Sequence, residues 1–408
     1  MSGTDIHSFM ANIQNAVDAQ DGMQLAYQLN PMMPHAKELV RLYKKETKDS
    51  LNRFKTLISQ PWGQIGVQYI MVCTHIKNKQ HADAFVEHTA LITLFYKYFE
   101  ESTGWTLETL YSLLRNLRDL ALDSDLEVGK TQTADKMEAA ARTIQKAYTM
   151  CLTDKSPDQS RKWGVYYLIG LILKCYFKIG RIALAKNILA PLNVHKLPWE
   201  LSQYPKSHQI TYHYYLGMLS FLNEDYAKSE QEFSQAFYDC PEESHRHVNR
   251  ILTYLVPLRI LKGHLPSEEL MMRYPFVANL FGTFVEAIRT GDLQKFDDAV
   301  EIQEKQLLQL NLYITIEKAR EACMRSYLRK VWIWAGKESR LPIATFHGAL
   351  RLRNPNMDFA ETECILANLI FKGYIRGYMS HAMKMIVLAN TNAFPRLADR
   401  PEPFKELL

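Results

Sequence analysis

The sequence is poor in the features that most often announce chemistry. Its 408 residues hold only six cysteines, at 73, 151, 175, 240, 323 and 364, with no C-x-x-C pair and no Asn-x-Ser/Thr acceptor. Isolated cysteines in apolar surroundings pack as small hydrophobes in a reducing compartment, so disulfides are not expected. No basic segment followed by an apolar stretch opens the chain, and no window approaches 18 uninterrupted apolar residues; an intracellular protein without a membrane span is expected. Glycine is scarce, 17 in all, and no glycine-rich dinucleotide turn, G-x-S-x-G or H-E-x-x-H occurs. Gly129-Lys130-Thr131 imitates the end of a phosphate loop, but Ser124 stands where that loop needs its first glycine. His245 and His247 are two apart, a spacing that does not bring them together on a helix, and no nearby cysteine or carboxylate pattern completes a metal set. Nothing assembles a nucleophile, a base and an oxyanion donor. No enzyme, no cofactor and no metal is expected.

What is present is helical periodicity, from residue 5 to about 335, in a chain that is 47% hydrophobic. Three short turns align: Gly180-Arg-Ile182, Glu224-Asp-Tyr226 and Gly291-Asp-Leu293. Apolar residues stand two positions after each turn start (Ile182, Tyr226, Leu293) and nine after it (Leu189, Phe233, Val300), which places each pair on one helix face. Loosely spaced helical pairs of this kind resemble tetratricopeptide repeats, which must stack because one pair cannot bury its own face. Polar stretches at 123–133 and 153–160, and the proline-flanked 191–205, read as loops. Met32-Met33-Pro34, Lys44-Lys45 and Lys48 mark another irregular stretch, and the proline-containing tail from 390 reads as a surface wrap or a frayed end.

The pattern changes near the C-terminus. Asp358 followed by Glu361 signals a helix start, Ile365/Leu369 and Leu366/Ile370 are i,i+4 apolar pairs, and Gly373 is placed to stop the helix. Two short strands should follow around 374–388. Helix then hairpin is the end of a winged helix. Leu341 to Arg353 reads as the preceding helix. From Ile314 to Leu408 there are 15 Lys/Arg against 9 Asp/Glu, a charge of +6, while the other 313 residues carry 34 against 35, or −1. That excess fits a polyanion-binding surface or a solvated face that keeps the domain soluble. The candidate phosphate contacts are Arg329, Lys330, Lys337, Arg340, Arg351, Arg353, Lys372, Arg376 and Lys384. The helix 359–371 is poor in base-reading residues and reads as a packing helix, which argues against sequence-specific DNA recognition. Trp332 and Trp334 point to different faces of one helix; the alternatives for them are a contact within the winged helix and a partner surface.

Four segments carry a family resemblance: Arg161-Lys-Trp-Gly164, Cys175-Tyr-Phe-Lys-Ile-Gly180, Tyr254 to Pro266, and Cys364 to His381. With helical pairs running into a winged helix, they resemble the PCI domains of the proteasome lid, the COP9 signalosome and initiation factor three. More narrowly they resemble the branch containing the PCI subunit of the transcription-coupled mRNA export complex and its signalosome-associated paralogue. The resemblance is strongest over 160–397. It implies an all-α-dominated fold, a right-handed α-solenoid of tetratricopeptide-like helical pairs followed by a winged helix, with N-terminal helical repeats at 1–160, a PCI helical subdomain at 161–313, a winged helix with its small β-hairpin at 314–390 and a tail at 391–408. It implies a non-catalytic scaffold whose winged helix packs beside that of a larger PCI protein, clamped by a small acidic proteasome-lid-type subunit. Tyr374, Tyr378, Met379 and His381, with Trp332 and Trp334, would then lie at the partner interface. The joined winged helices would form a basic platform for RNA or DNA, with Lys372, Arg376 and Lys384 on it, in a nuclear protein near the pore. The alternative within the same family is a purely protein-binding scaffold of a signalosome-like or splicing-associated complex.

Overall fold

A computed structural model describes residues 5–43, 46–128, 135–156, 158–195, 197–400 and 404. Gly129-Lys130-Thr131, Lys44-Lys45, Pro401 and Pro403 lie outside the described residues. The chain divides into two compact units, Met1–Tyr212 and His213–Leu408.

In the first unit the helices are α1 (Ile6–Asp18), α2 (Gly22–Gln28), α3 (Pro34–Tyr43), α4 (Lys48–Leu51), α5 (Trp62–Lys77), α6 (His81–Glu101), α7 (Leu107–Val128), α8 (Asp135–Leu152), α9 (Val165–Lys178) and α10 (Ala183–Val194). The division falls within α11 (Lys206–Leu222). The second unit continues with α12 (Tyr226–Asp239), α13 (His245–Lys262), α14 (Glu268–Arg273), α15 (Pro275–Thr290), α16 (Leu293–Gln309) and α17 (Tyr313–Trp334). It ends in a winged helix that α17 opens and that continues with β1 (Arg340–Pro342), α18 (Ile343–Arg351), α19 (Phe359–Phe371), β2 (Gly377–Ser380) and β3 (Met385–Leu388). Helical pairs followed by a winged helix is the expected architecture.

The aligned turns share one conformation. Gly180, Glu224 and Gly291 have φ of 73°, 60° and 64°, and Gln20 between α1 and α2 has 52°. An aspartate follows in three of the four and caps the next helix: Asp21, Asp225 and Asp292 accept from the amides of Gln24, Lys228 and Lys295. A left-handed residue ends one helix and the aspartate starts the next, so the chain reverses in about three residues. Of the apolar positions flagged beside these turns, Tyr226, Phe233 and Leu293 are buried, whereas Ile182, Leu189 and Val300 are half-buried. In α10 and α16 the inner stripe is offset, to Ala185 with Ile188 and to Phe296 with Ala299.

Two expected loops are partly helical. Asp123–Val128 continues α7, where Ser124 is fully buried and Asp125 accepts from the amides of Lys136 and Met137 at the start of α8. Pro191 sits inside α10, so that break begins only after Val194. Of the third, the described residues 153–156 and 158–160 are irregular and have a charged centre. Asp154, 3% exposed, accepts from Ser160 Oγ at 2.8 Å and from Arg161 Nη2 at 2.7 Å, while Arg161 Nη1 donates to the carbonyl of Phe99 at 2.6 Å. Burial alone would raise the Asp154 carboxyl, but the bonds from Arg161 and Ser160 outweigh it and hold the pKa at about 2.

The expected wing has a third strand. Arg340–Pro342, whose last two residues read in the sequence as a helix start, pairs antiparallel with β3, giving the order β1-β3-β2. Pro342 is confined to the end of an edge strand, where its missing N–H breaks no ladder, and α18 starts one residue later. After β3 the chain turns back as a strap. Arg376 N donates to Ala393 O at 2.8 Å, Arg325 donates to the carbonyls of Phe394 and Pro395, and the Arg400 guanidinium lies 3.9 Å from the Tyr374 ring centroid while donating to Leu261 O. Gly263, at φ 98°, ends α13 beneath the strap, where a Cβ would lie 2.2 Å from the carbonyl carbon of Leu397. The tail from 389 to 400 is therefore packed, not frayed.

Candidate partner and nucleic-acid surface of the winged helix

α19 forms as the sequence dictates: Asp358 accepts from Glu361 N at 2.6 Å, and Gly373 at φ 74° ends it with Tyr374 N bonded to Leu369 O. Its inner stripe is Thr362, Glu363, Leu366 and Leu369. The other face is less buried than a packing helix requires. Cys364 and Asn368 are exposed, and Phe371 is 75% exposed. Spaced four and three apart, these form a second stripe opposite the core, apolar but for Asn368 and without a positive charge. Such a helix face suits a protein partner better than a phosphate backbone.

The sheet places further groups. Arg340 pairs with Val387, which pairs with Tyr378 on its other side, so the three side chains form one row on one face. Arg340 and Tyr378 are exposed, the latter 63%. On the opposite face Leu341 and Ile386 are buried with half-buried Met379 beside them. Met379 is thus partly a core residue.

Tyr374 lies inside the domain and not at its surface. It is 2% exposed beneath Arg400, because Gly373 turns the chain inward at the end of α19; it stabilises its own domain and offers no ring to a partner. Trp332 is likewise committed to its own chain, with its indole N–H donating to Glu338 O at 3.0 Å and its ring 5.4 Å from that of Phe394. Trp334, two residues on, has no such commitment and is 84% exposed. His381 is exposed, with Nδ1 at 2.9 Å from the buried Glu363 carboxylate. The sequence reading missed Leu352, Phe371 and Met383, all more than 70% exposed. Asn368 breaking the apolar run of α19 was the signal for Phe371.

The nine candidate cations separate into two groups. Arg353 lies 3.8 Å from Asp297, which Arg320 also holds at 2.6 Å, and Lys372 is paired with Glu321. Arg329, Lys330, Lys337, Arg340, Arg351, Arg376 and Lys384 are exposed and have no acidic partner among the described residues. Lys337 and Lys384 occupy left-handed turn positions, at φ 59° and 51°, and the Lys384 ammonium lies 5.3 Å from the Phe359 ring centroid. Positive charge is dense enough to act on itself. Burial, with Arg329 and Arg400 nearby, pushes the Arg325 guanidinium down to about 10. Among the described residues no group of three or more His, Cys, Asp or Glu side chains could hold a metal, and no helix is long and apolar enough to cross a membrane.

The chain is similar to known proteins along most of its length. The PCI domain profile matches residues 284–390, a span from α15 to the end of the wing. The protein CSN12 homolog of Schizosaccharomyces pombe is 34% identical over 356 residues, covering 83% of this chain and 84% of the relative. The protein CSN12 homolog of Neurospora crassa is 30% identical, covering 95% and 99%. PCI domain-containing protein 2 of Xenopus laevis is 27% identical over 407 residues, covering 98% and 99%.

Proposed function

Because the chain belongs to the PCI family, in the branch of the CSN12 homologs and PCI domain-containing protein 2, we propose that it is a non-catalytic scaffold subunit pairing with a second, larger PCI protein through its winged helix. One observation carries the reading: the winged helix exposes large apolar side chains (Trp334, Phe371, Tyr378) together with seven cations that lack counter-ions. Exposed aromatics on a rigid domain are the usual anchors of a protein interface, and unpaired Lys and Arg beside them supply a phosphate-binding rim. The nucleic acid, RNA or DNA, is held through its backbone without base reading. A small acidic subunit stabilises the pair, and the assembly works in the nucleus in transcription-coupled mRNA export.

A titration of single-stranded RNA against the chain, alone and with its PCI partner, at two salt concentrations tests this reading. Binding should strengthen with the partner and fall steeply with salt, and Arg376→Glu with Lys384→Glu should remove most of it while leaving the heterodimer intact. Equal binding by the reversed variant would sink the platform. The outward stripe of α19 and the neutralised Arg353 and Lys372 favour a second reading, a scaffold that binds proteins alone; absence of RNA binding by both forms at low salt selects it.

A further inference from the structure

The first unit carries a groove that the winged-helix reading does not use. It has a volume of about 860 Å³ and is walled by the rings of Tyr27, Trp105, Tyr111, Trp163 and Tyr167, within the size range of specific ligand sites. Its floor is braced from several elements: Thr109 Oγ1 of α7 donates to Gly22 O at the start of α2, and Gly104 N donates to Gln159 O. Two of the five rings spend their hydroxyls inside the fold. Tyr111 and Tyr167 pack with centroids 4.0 Å apart and planes tilted by 34°, and their hydroxyls turn to the backbone carbonyls of Trp163 and Tyr111. Tyr27 stands at the rim, 43% exposed, with Met23 one turn earlier on α2 at 74%.

Two charged residues line this aromatic wall. Glu108 and Arg115 are both exposed on α7 and have no ion pair or hydrogen bond among the described residues. Seven residues apart, they share a helix face and lie about 10.5 Å from each other along the axis. His208 adds one more polar group on the wall, kept neutral by burial and by Lys174, which push it down to about 4; its Nδ1 is buried without a partner. A carboxylate, a guanidinium and a neutral imidazole around apolar ring faces do not suit a polyphosphate chain, which Glu108 repels. We propose that this groove binds an extended, proline-containing peptide of a partner protein, with a basic and an acidic residue flanking its apolar centre. Polyproline II advances about 3.1 Å per residue and docks on aromatic walls, so the complementary charges should stand three or four positions apart.

Fluorescence polarisation with the full-length chain tests it, using ten-residue fluorescein-labelled peptides with a Pro-Leu-Pro centre flanked by Lys and Glu. The mixed-charge peptide should bind about threefold or more tighter than its Lys/Lys and Glu/Glu versions, the increment expected of an exposed ion pair. Replacing the centre by Gly and Ser, or Tyr27→Ala, should weaken binding by about tenfold. Glu108→Lys should move the preference to the Glu/Glu peptide and Arg115→Glu to the Lys/Lys peptide, with far-UV circular dichroism unchanged. The proposal is overturned if the peptides bind alike, if the two charge reversals do not redirect the preference, or if oligo-uridylate displaces the bound peptide, which would give the groove to nucleic acid.

Discussion

The two units spend their charged and aromatic side chains differently. In the first, half-buried Arg161 is held by buried Asp154 and the Phe99 carbonyl, and Trp163 stacks on Trp199 at 4.3 Å. In the second, Trp334 stands in solvent and seven cations of the winged helix lack acidic partners. Paired, buried groups define a fold, because leaving either member alone is costly; unpaired, exposed ones are available to something outside the chain. The contrast recurs inside the winged helix, where Trp332 is used internally and Trp334 is not.

The largest expected effect is at the buried pair. Asp154→Ala strands the Arg161 guanidinium and should lower stability by about 3–5 kcal/mol, read from urea unfolding. Because the Asp154 carboxyl titrates below its unfolded value, its contribution is complete above the ordinary carboxylate range and fades as pH falls toward 2; Asp154→Asn should remove that share of the acid sensitivity. Next comes Trp334→Ala, which should weaken binding of a PCI partner by roughly 2 kcal/mol, about thirtyfold, without changing the melting temperature. Trp332→Ala should do the reverse, destabilising the domain with less direct effect on the partner. The Arg376→Glu, Lys384→Glu variant should weaken RNA binding by about tenfold at low salt and flatten its salt dependence. Arg353→Gln and Lys372→Gln, whose charges are already neutralised by Asp297 and Glu321, should change it by about twofold or less. An equal loss from both pairs would abolish the distinction between held and free cations.

Local signals were legible wherever the cause was local. The left-handed residues and aspartates of the short turns, the Asp358 cap and the Gly373 stop all act within a few residues, and each stands where the sequence put it. What was hidden depended on distant partners. β1 is three residues long and becomes a strand only because Met385–Val387 lies beside it, so Leu341-Pro342 looked like the start of a helix. Asp123–Val128 looked like a loop by polarity, yet Ser124 is buried and Asp125 serves the next helix. Among the site residues, nothing near Arg353 or Lys372 in sequence reveals Asp297 or Glu321, and nothing near Tyr374 reveals Arg400. A list of cations can be read from a sequence, but their counter-ions cannot.

The strap over Tyr374 has a consequence for cooperativity. By joining β2 and the end of α13 through Ala393 and Arg400, it ties together segments more than a hundred residues apart. The wing and the last turn of α13 should then open as one unit in hydrogen exchange. A partner would meet a surface already fixed in its bound shape, and little ordering entropy would be lost on contact.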